Sequence, residues 1–152
     1  MIYLILALVY TIFDQVSKWL VLNNIPYGSG IFICDYFNII HVTNTGVAFS
    51  MFQGLNIFFI LMTAAIVFGV SAFVFKYRSE LTKLQMHSMT LIAAGGTGNL
   101  IDRIFRGAVI DFIDVGYKTV YRWPTFNIAD SCVFIGVGLF VFSMLFNKKN
   151  KS

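Results

Sequence analysis

Four long apolar stretches, separated by two segments of mixed character, set the plan of this chain. The apolar stretches fall at 1–22, 55–75, 84–103 and 128–146, and each is long enough to cross a hydrocarbon core as a helix. Leu55–Phe75 is the cleanest: it has no charged residue and reaches about 31 Å at the helical rise. Met1–Leu22 has neither a basic opening nor a small-residue cleavage site, so it reads as a retained helix rather than a removed signal. The segments between follow another pattern. In 23–54, turn signals at Asn23-Asn24, Pro26-Tyr27-Gly28 and Gly30 precede two β-forming runs, Ile31–Ile33 and Phe37–Val42. In 104–127, a turn at Arg106-Gly107 leads into a short strand, Ala108–Ile113, and an aromatic loop ending at Trp123-Pro124. The expected architecture is a membrane α-helical protein: a single domain over 1–152, a four-transmembrane-helix bundle with a small outer-face β-cradle. Irregular backbone is tolerable in such a cradle because water or protein can satisfy its polar groups.

Composition agrees, with 58% hydrophobic and 12% charged residues. Charge placement gives an orientation. Lys76, Arg78 and Lys83 fill the short link between the second and third spans, and Lys148, Lys149 and Lys151 follow the fourth, whereas Asn23–Gly54 has no Lys or Arg. The positive-inside tendency then puts both termini in the cytoplasm and the two mixed segments outside, with Trp19 and Trp123 near the outer interface. The net charge of +4 calls for no nucleic acid, since the basic residues sit at helix ends where anionic lipid heads lie. Cys34 and Cys132 have no zinc or CxxC spacing, a disulfide between them is not favoured, and His41 and His87 are isolated, so no metal or cofactor is expected. The 17 Phe residues read as lipid-facing and packing residues.

Against this background the carboxylates and carboxamides stand out. Asp14, Asn99, Asp102, Asp111, Asn127 and Asp130 lie in or beside apolar spans, where a charge costs at least ~2.5–3.5 kcal/mol. Asp111 and Asp130 are the leading pair. They flank a segment that leaves and re-enters one membrane face, which can bring them together. Two carboxyls in one low-dielectric site retain a proton between them and can activate water and protonate a leaving amine. The plainer reading of Asn127-x-x-Asp130 is a helix N-cap with its acidic partner, and of Asp111 a solvated strand residue. Asp14 and Lys18 form an i,i+4 pair that reads as mutually neutralising, Lys18 snorkelling to the interface. Gly95-Gly96-Thr97-Gly98 permits close helix contact; a phosphate loop is the weaker alternative, since no GK[ST] follows. Asn99, Asp102 and Arg103 share one helix face, either a salt-bridged terminus or a surface that holds substrate. Asn44-Thr45-Gly46 alone is only a turn.

Taken together, these pieces resemble the lipoprotein signal peptidase family (signal peptidase II). The matching stretches are F-D-Q-V-S-K at 13–18, V-T-N-T-G-V-A-F-S at 42–50, G-G-T-G-N-L-I-D-R at 95–103, G-A-V-I-D-F-I at 107–113 and F-N-I-A-D at 126–130, in the family's order. Val47 and Ile110 stand where other small or aliphatic residues are common. The resemblance implies a metal-free aspartyl endopeptidase of the bacterial inner membrane that cuts signal peptides from prolipoproteins, just before a cysteine bearing diacylglycerol, and that binds globomycin. It implies Asp111 and Asp130 as catalytic residues. It gives Asp14, Lys18, Asn44, Gly46, Asn99, Asp102, Arg103, Asn127 and Ala129 roles in shaping the site or contacting substrate. The expected partners are the diacylglyceryl-prolipoprotein and membrane lipid, with the enzyme a monomer. Substrate would enter laterally from the bilayer, with its scissile bond reaching the pair near the outer interface. The helix N-terminus near Asp130 favours its anionic form, making it the first base, and Arg103 is a plausible stabiliser of developing charge. The rival class is a small proton-coupled transporter or channel subunit, which would need midplane charges and usually an inverted repeat; a scaffold for a membrane complex is a third.

Overall fold

The computed structural model describes residues 1–46, 55–118 and 120–147. Among these residues, helices α1 (Ile2–Asn24), α2 (Asn56–Tyr77), α3 (Lys83–Phe105) and α4 (Ile128–Asn147) and strands β1 (Gly30–Cys34), β2 (Phe37–Asn44), β3 (Val109–Tyr117) and β4 (Tyr121–Arg122) follow in the order α1-β1-β2-α2-α3-β3-β4-α4. The helix ends follow local chemistry. Pro26 forces Ile25 into extended backbone, stopping α1. A full capping box opens α3: Thr82 Oγ1 accepts the Gln85 N–H and Gln85 Oε1 accepts the Thr82 N–H. Gly107, at φ +78°, turns the chain out of α3 towards β3.

Three helices, α1, α2 and α4, are long and apolar enough to cross a membrane. The third is of similar length but has a polar last half and sits at the centre, packed on each of the other helices. Its glycines make that possible. A Cβ on Gly95 would run into the Ala129 carbonyl, one on Gly98 would come within 2.5 Å of Asp14 Oδ2, and on the facing helix one on Gly136 would lie 2.8 Å from the Ser88 carbonyl. Backbones therefore meet where side chains would separate them. This is the close-packing reading of the glycine run, not the phosphate-loop one.

The sheet is antiparallel in the order β1-β2-β3-β4 and draws on both mixed segments. Strands were expected over 31–33, 37–42 and 108–113; the strands observed there are longer, β4 is added, and β2 pairs with β3 across the two segments, Val42 opposite Asp111 and Asn44 opposite Val109. Val21 of α1 and Ile25, just past its end, pack with Ile110 and Phe112 beneath the sheet, and a fully buried aliphatic or aromatic side chain of this kind contributes about 1.5–3 kcal/mol. The sheet thus sits at the end of the bundle where α1 and α3 finish and α2 and α4 begin. The expected V-T-N-T-G-V-A-F-S stretch extends past residue 46, so its second half, Val47 included, lies outside the described residues.

Candidate active site

Asp111 enters on β3 and Asp130 in the first turn of α4. Asn127 joins them: its side-chain amide donates to Asp111 Oδ1 at 2.7 Å and its backbone N–H to Asp130 Oδ2 at 3.2 Å. Asn127 Oδ1 accepts the Asp130 N–H at 2.8 Å. The capping box and the carboxylate pair are therefore one structure. The same residues that open α4 hold the two carboxyls beside each other. Each carboxyl has a second donor, in both cases a carboxamide: Asn44 for Asp111 (3.2 Å) and Asn99 for Asp130 (2.7 Å).

Asp14, Lys18, Asp102 and Ala129 form a buried layer behind this pair. Lys18, 0% exposed, places its ammonium 2.8 Å from Asp14, 2.7 Å from Asp102 and 3.1 Å from Asn99 Oδ1. It does not snorkel as expected: three oxygens within reach satisfy it more completely than a path along the helix to the interface would. Asp14 also accepts the backbone N–H of Ala129 at 2.8 Å, fixing α4 to α1. Ala129 is fully buried and faces Gly95 and Gly98, which accounts for its small side chain. Asp102 takes Lys18, Gln15, Arg106 and the Ile110 N–H. Asn99, Asp102 and Arg103 do share one face, but it is buried against α1 and the sheet rather than forming an exposed terminus.

Arg103 lines the pocket, donates from Nη2 to the Gly46 carbonyl at 3.1 Å and lies 5.7 Å from the Phe59 ring centre. Its buried Nε has no partner among the described residues. Gly46 in turn donates its N–H to Asn44 Oδ1, closing a turn that positions both. Two residues of the network were not singled out in the sequence. Gln15 bridges Asp14, Asp102 and the Gly98 carbonyl, and Arg106 bonds both Gln15 and Asp102. Gln15 lies inside the F-D-Q-V-S-K stretch, and Asp102 to Arg106 has i,i+4 spacing, so both had a legible signal. Cys34 and Cys132 are free thiols, and no group of three or more His, Cys, Asp or Glu suited to a metal occurs among the described residues.

Asp111 and Asp130 open onto a cavity of about 720 Å³ that continues between α2, α3 and α4 past Thr63, Ile92 and Val137. Burial first, and the charge of Asp130 second, push the Asp111 carboxyl up to about 7 despite the Asn44 and Asn127 hydrogen bonds. A group poised there can hold or release a proton near neutral pH.

The signal peptidase II family model matches residues 6–146. The chain is 43% identical to the lipoprotein signal peptidase of Borrelia hermsii over 91% of its own length and 86% of that protein's. It is 41% identical to that of Borrelia turicatae, covering 92% and 87%. Among solved structures, a bacterial membrane enzyme determined by the in meso method at 2.3 Å superposes with a TM-score of 0.88 at 32% identity, over 99% of this chain and 91% of that one. The family resemblance read from the motifs therefore holds along the whole chain, which belongs to the signal peptidase II family of membrane proteases.

Proposed function

We propose that this protein is an aspartyl endopeptidase that removes signal peptides from diacylglyceryl-modified prolipoproteins, cutting before the lipidated cysteine. The observation that carries the reading is the meeting of Asp111 and Asp130 through Asn127 at the mouth of an apolar cavity. The chain acts as a single four-span domain over 1–152, a monomer, with α3 as the span shielded by the other three. Both termini face the cytoplasm and the site lies near the outer face of the inner membrane.

The charge inventory supports a shared proton. Asp14, Asp102, Asp111 and Asp130 gather with Lys18, Arg103 and Arg106 at this end of the bundle, all but Asp130 and Arg106 buried, with Asp130 half-buried and Arg106 reaching towards solvent. Four carboxylates against three cations leave one negative charge, and one proton on the Asp111–Asp130 pair removes it. In a low-dielectric site that neutral arrangement is the economical one. Asp130, at a helix N-terminus and bonded by Asn99 and the Asn127 N–H, is the anionic partner; Asp111 holds the proton. Asp130 then takes a proton from water as the water oxygen adds to the scissile carbonyl carbon. Asp111 passes its proton to the carbonyl oxygen; on collapse of the tetrahedral species Asp130 gives the proton it took from water to the departing amine, and the hydroxyl that re-forms the carbonyl returns its proton to Asp111. Arg103, whose buried Nε has no partner among the described residues, lines the same cavity and supplies positive charge to the carbonyl oxygen as negative charge builds there ahead of the Asp111 proton. The signal helix enters sideways between α2 and α4. The buried charged residues gather at one end of the bundle, not across it, so a transport pathway has no support.

The test is cleavage of a purified diacylglyceryl-modified prolipoprotein beside its unlipidated control, followed by mass. Only the lipidated protein should be cut, Asp111→Asn and Asp130→Asn should each abolish cutting without loss of folding, and EDTA should leave the rate unchanged. Full activity in either variant rejects the pair.

A further inference from the structure

A partly buried ion pair lies away from the carboxylate pair. Arg122 of β4 donates from Nη2 (2.6 Å) and Nε (3.1 Å) to Asp114 Oδ2 on β3. Asn38 of β2 donates to the same oxygen at 3.0 Å, and Arg122 Nη1 reaches the Asp35 carbonyl in the β1–β2 turn at 3.4 Å. Arg122 thus ties together β2, β3, β4 and that turn. β4 lies close on Gly116, where a Cβ would run into the Tyr121 carbonyl and come 2.6 Å from Arg122 Cδ, so β3 is glycine at the place where β4 and the arginine stem press on it. The next residues, Trp123, Pro124, Thr125 and Phe126, form one wall of the cavity. They end at Asn127, which holds Asp111. The wall is fastened at its two ends: by Arg122 and by the Trp123 N–H on the Val115 carbonyl (2.8 Å) at one, and by Phe126 paired with Ile113 and by Asn127 at the other.

We infer that Asp114 and Arg122 are positioning residues, which hold the Trp123–Phe126 wall against the substrate backbone beside the scissile bond and so set how tightly the enzyme grips that segment. The inference rests on the peptidase reading above. Neither side chain lines the cavity, so neither touches the reacting atoms; the pair acts through the wall. Loss of the clip lets the wall relax outward, weakening binding while Asn127 still holds the carboxylate pair.

The experiment measures cleavage of the lipidated prolipoprotein by the full chain in lipid, for Arg122→Gln, Asp114→Asn, the double variant and Arg122→Lys, beside thermal unfolding. We expect KM to rise roughly tenfold in each of the first two with kcat within about twofold, since uniform binding is lost and not transition-state binding. The double variant should be no worse than either single one, as for residues acting as one unit, and Arg122→Lys should recover part of the affinity. In a Trp19→Phe background, Arg122→Gln should make the remaining indole, Trp123, more open to acrylamide quenching. An unchanged KM, a fall in kcat alone, additive losses, or losses that track unfolding temperature and are not relieved by lysine each overturn the inference. Wild-type cleavage abolished by Asp111→Asn in the same assay keeps a failure here distinct from a failure of the peptidase reading.

Discussion

Asn127 donates its side-chain amide to Asp111 at 2.7 Å while its own side-chain oxygen caps the helix that carries the second carboxyl. One residue thus performs a structural and a site-building task, and substitution separates them. Serine caps a helix as well as asparagine but is too short to span to β3. Asn127→Ser should keep the unfolding temperature near wild type and lower kcat/KM by roughly 10²-fold or more. Asn127→Ala should lose activity similarly and about 1 kcal/mol of stability as well. Activity close to wild type in the serine variant would leave the cap as the residue's whole role.

The pH response follows from Asp111, whose carboxyl burial raises from 3.8 to about 7. The folded protein binds that proton more tightly than the unfolded chain. The associated stabilisation is therefore complete below the unfolded value of 3.8 and disappears as pH rises through about 7. Thermal unfolding across this range should show stability falling by an amount on the order of 2–4 kcal/mol, and Asp111→Asn should flatten the slope. Cleavage should decline on the alkaline side with an apparent pKa near 7.

Lys18 is wholly enclosed by Asp14, Asp102 and Asn99. Lys18→Met removes the cation and leaves two carboxylates facing each other, a loss of about 3–5 kcal/mol. Adding Asp14→Asn and Asp102→Asn should return much of that stability but not the activity, because Asn99 would no longer be held towards Asp130. Chemical or thermal unfolding in detergent measures the first part and the cleavage assay the second.

Glycine at position 95 has a packing reason, since a Cβ there meets the Ala129 carbonyl and comes 2.8 Å from Val133 Cγ2. Gly95→Ala should push α3 and α4 apart, cost about 1–3 kcal/mol and lower activity through the displaced Asp130. Gly69→Ala on α2, with open space around it, is the control and should be neutral or slightly stabilising, as alanine is the better helix former.

Much of this was legible in the chain because the bilayer makes polar residues conspicuous. Apolar length placed the helices, and Asp111, Asp130 and Asn127 drew attention by standing where charge is costly. Periodicity could not report partners. The pairing of β2 with β3 joins residues about 70 positions apart, and nothing in either run names the other. Lys18 was misplaced for the same reason: its helix shows Asp14 one turn away, but Asp102 and Asn99 arrive from α3. Gln15 was overlooked beside the charged Asp14 and Lys18, because its partners, Asp102 and the Gly98 carbonyl, also arrive from α3. Asp114 and Arg122 fell in a segment read as an aromatic loop, where a salt bridge has no spacing rule to reveal it.

The i,i+4 placement of Asp14 and Lys18 has a consequence for biosynthesis. Asp14 finds its final backbone partner 115 residues downstream, at Ala129. During synthesis the first helix enters the bilayer long before that residue exists. With Lys18 2.8 Å away on the same helix, Asp14 travels with its own counter-ion, so the nascent segment can wait in the lipid as a neutral unit until the last helix arrives to lock it.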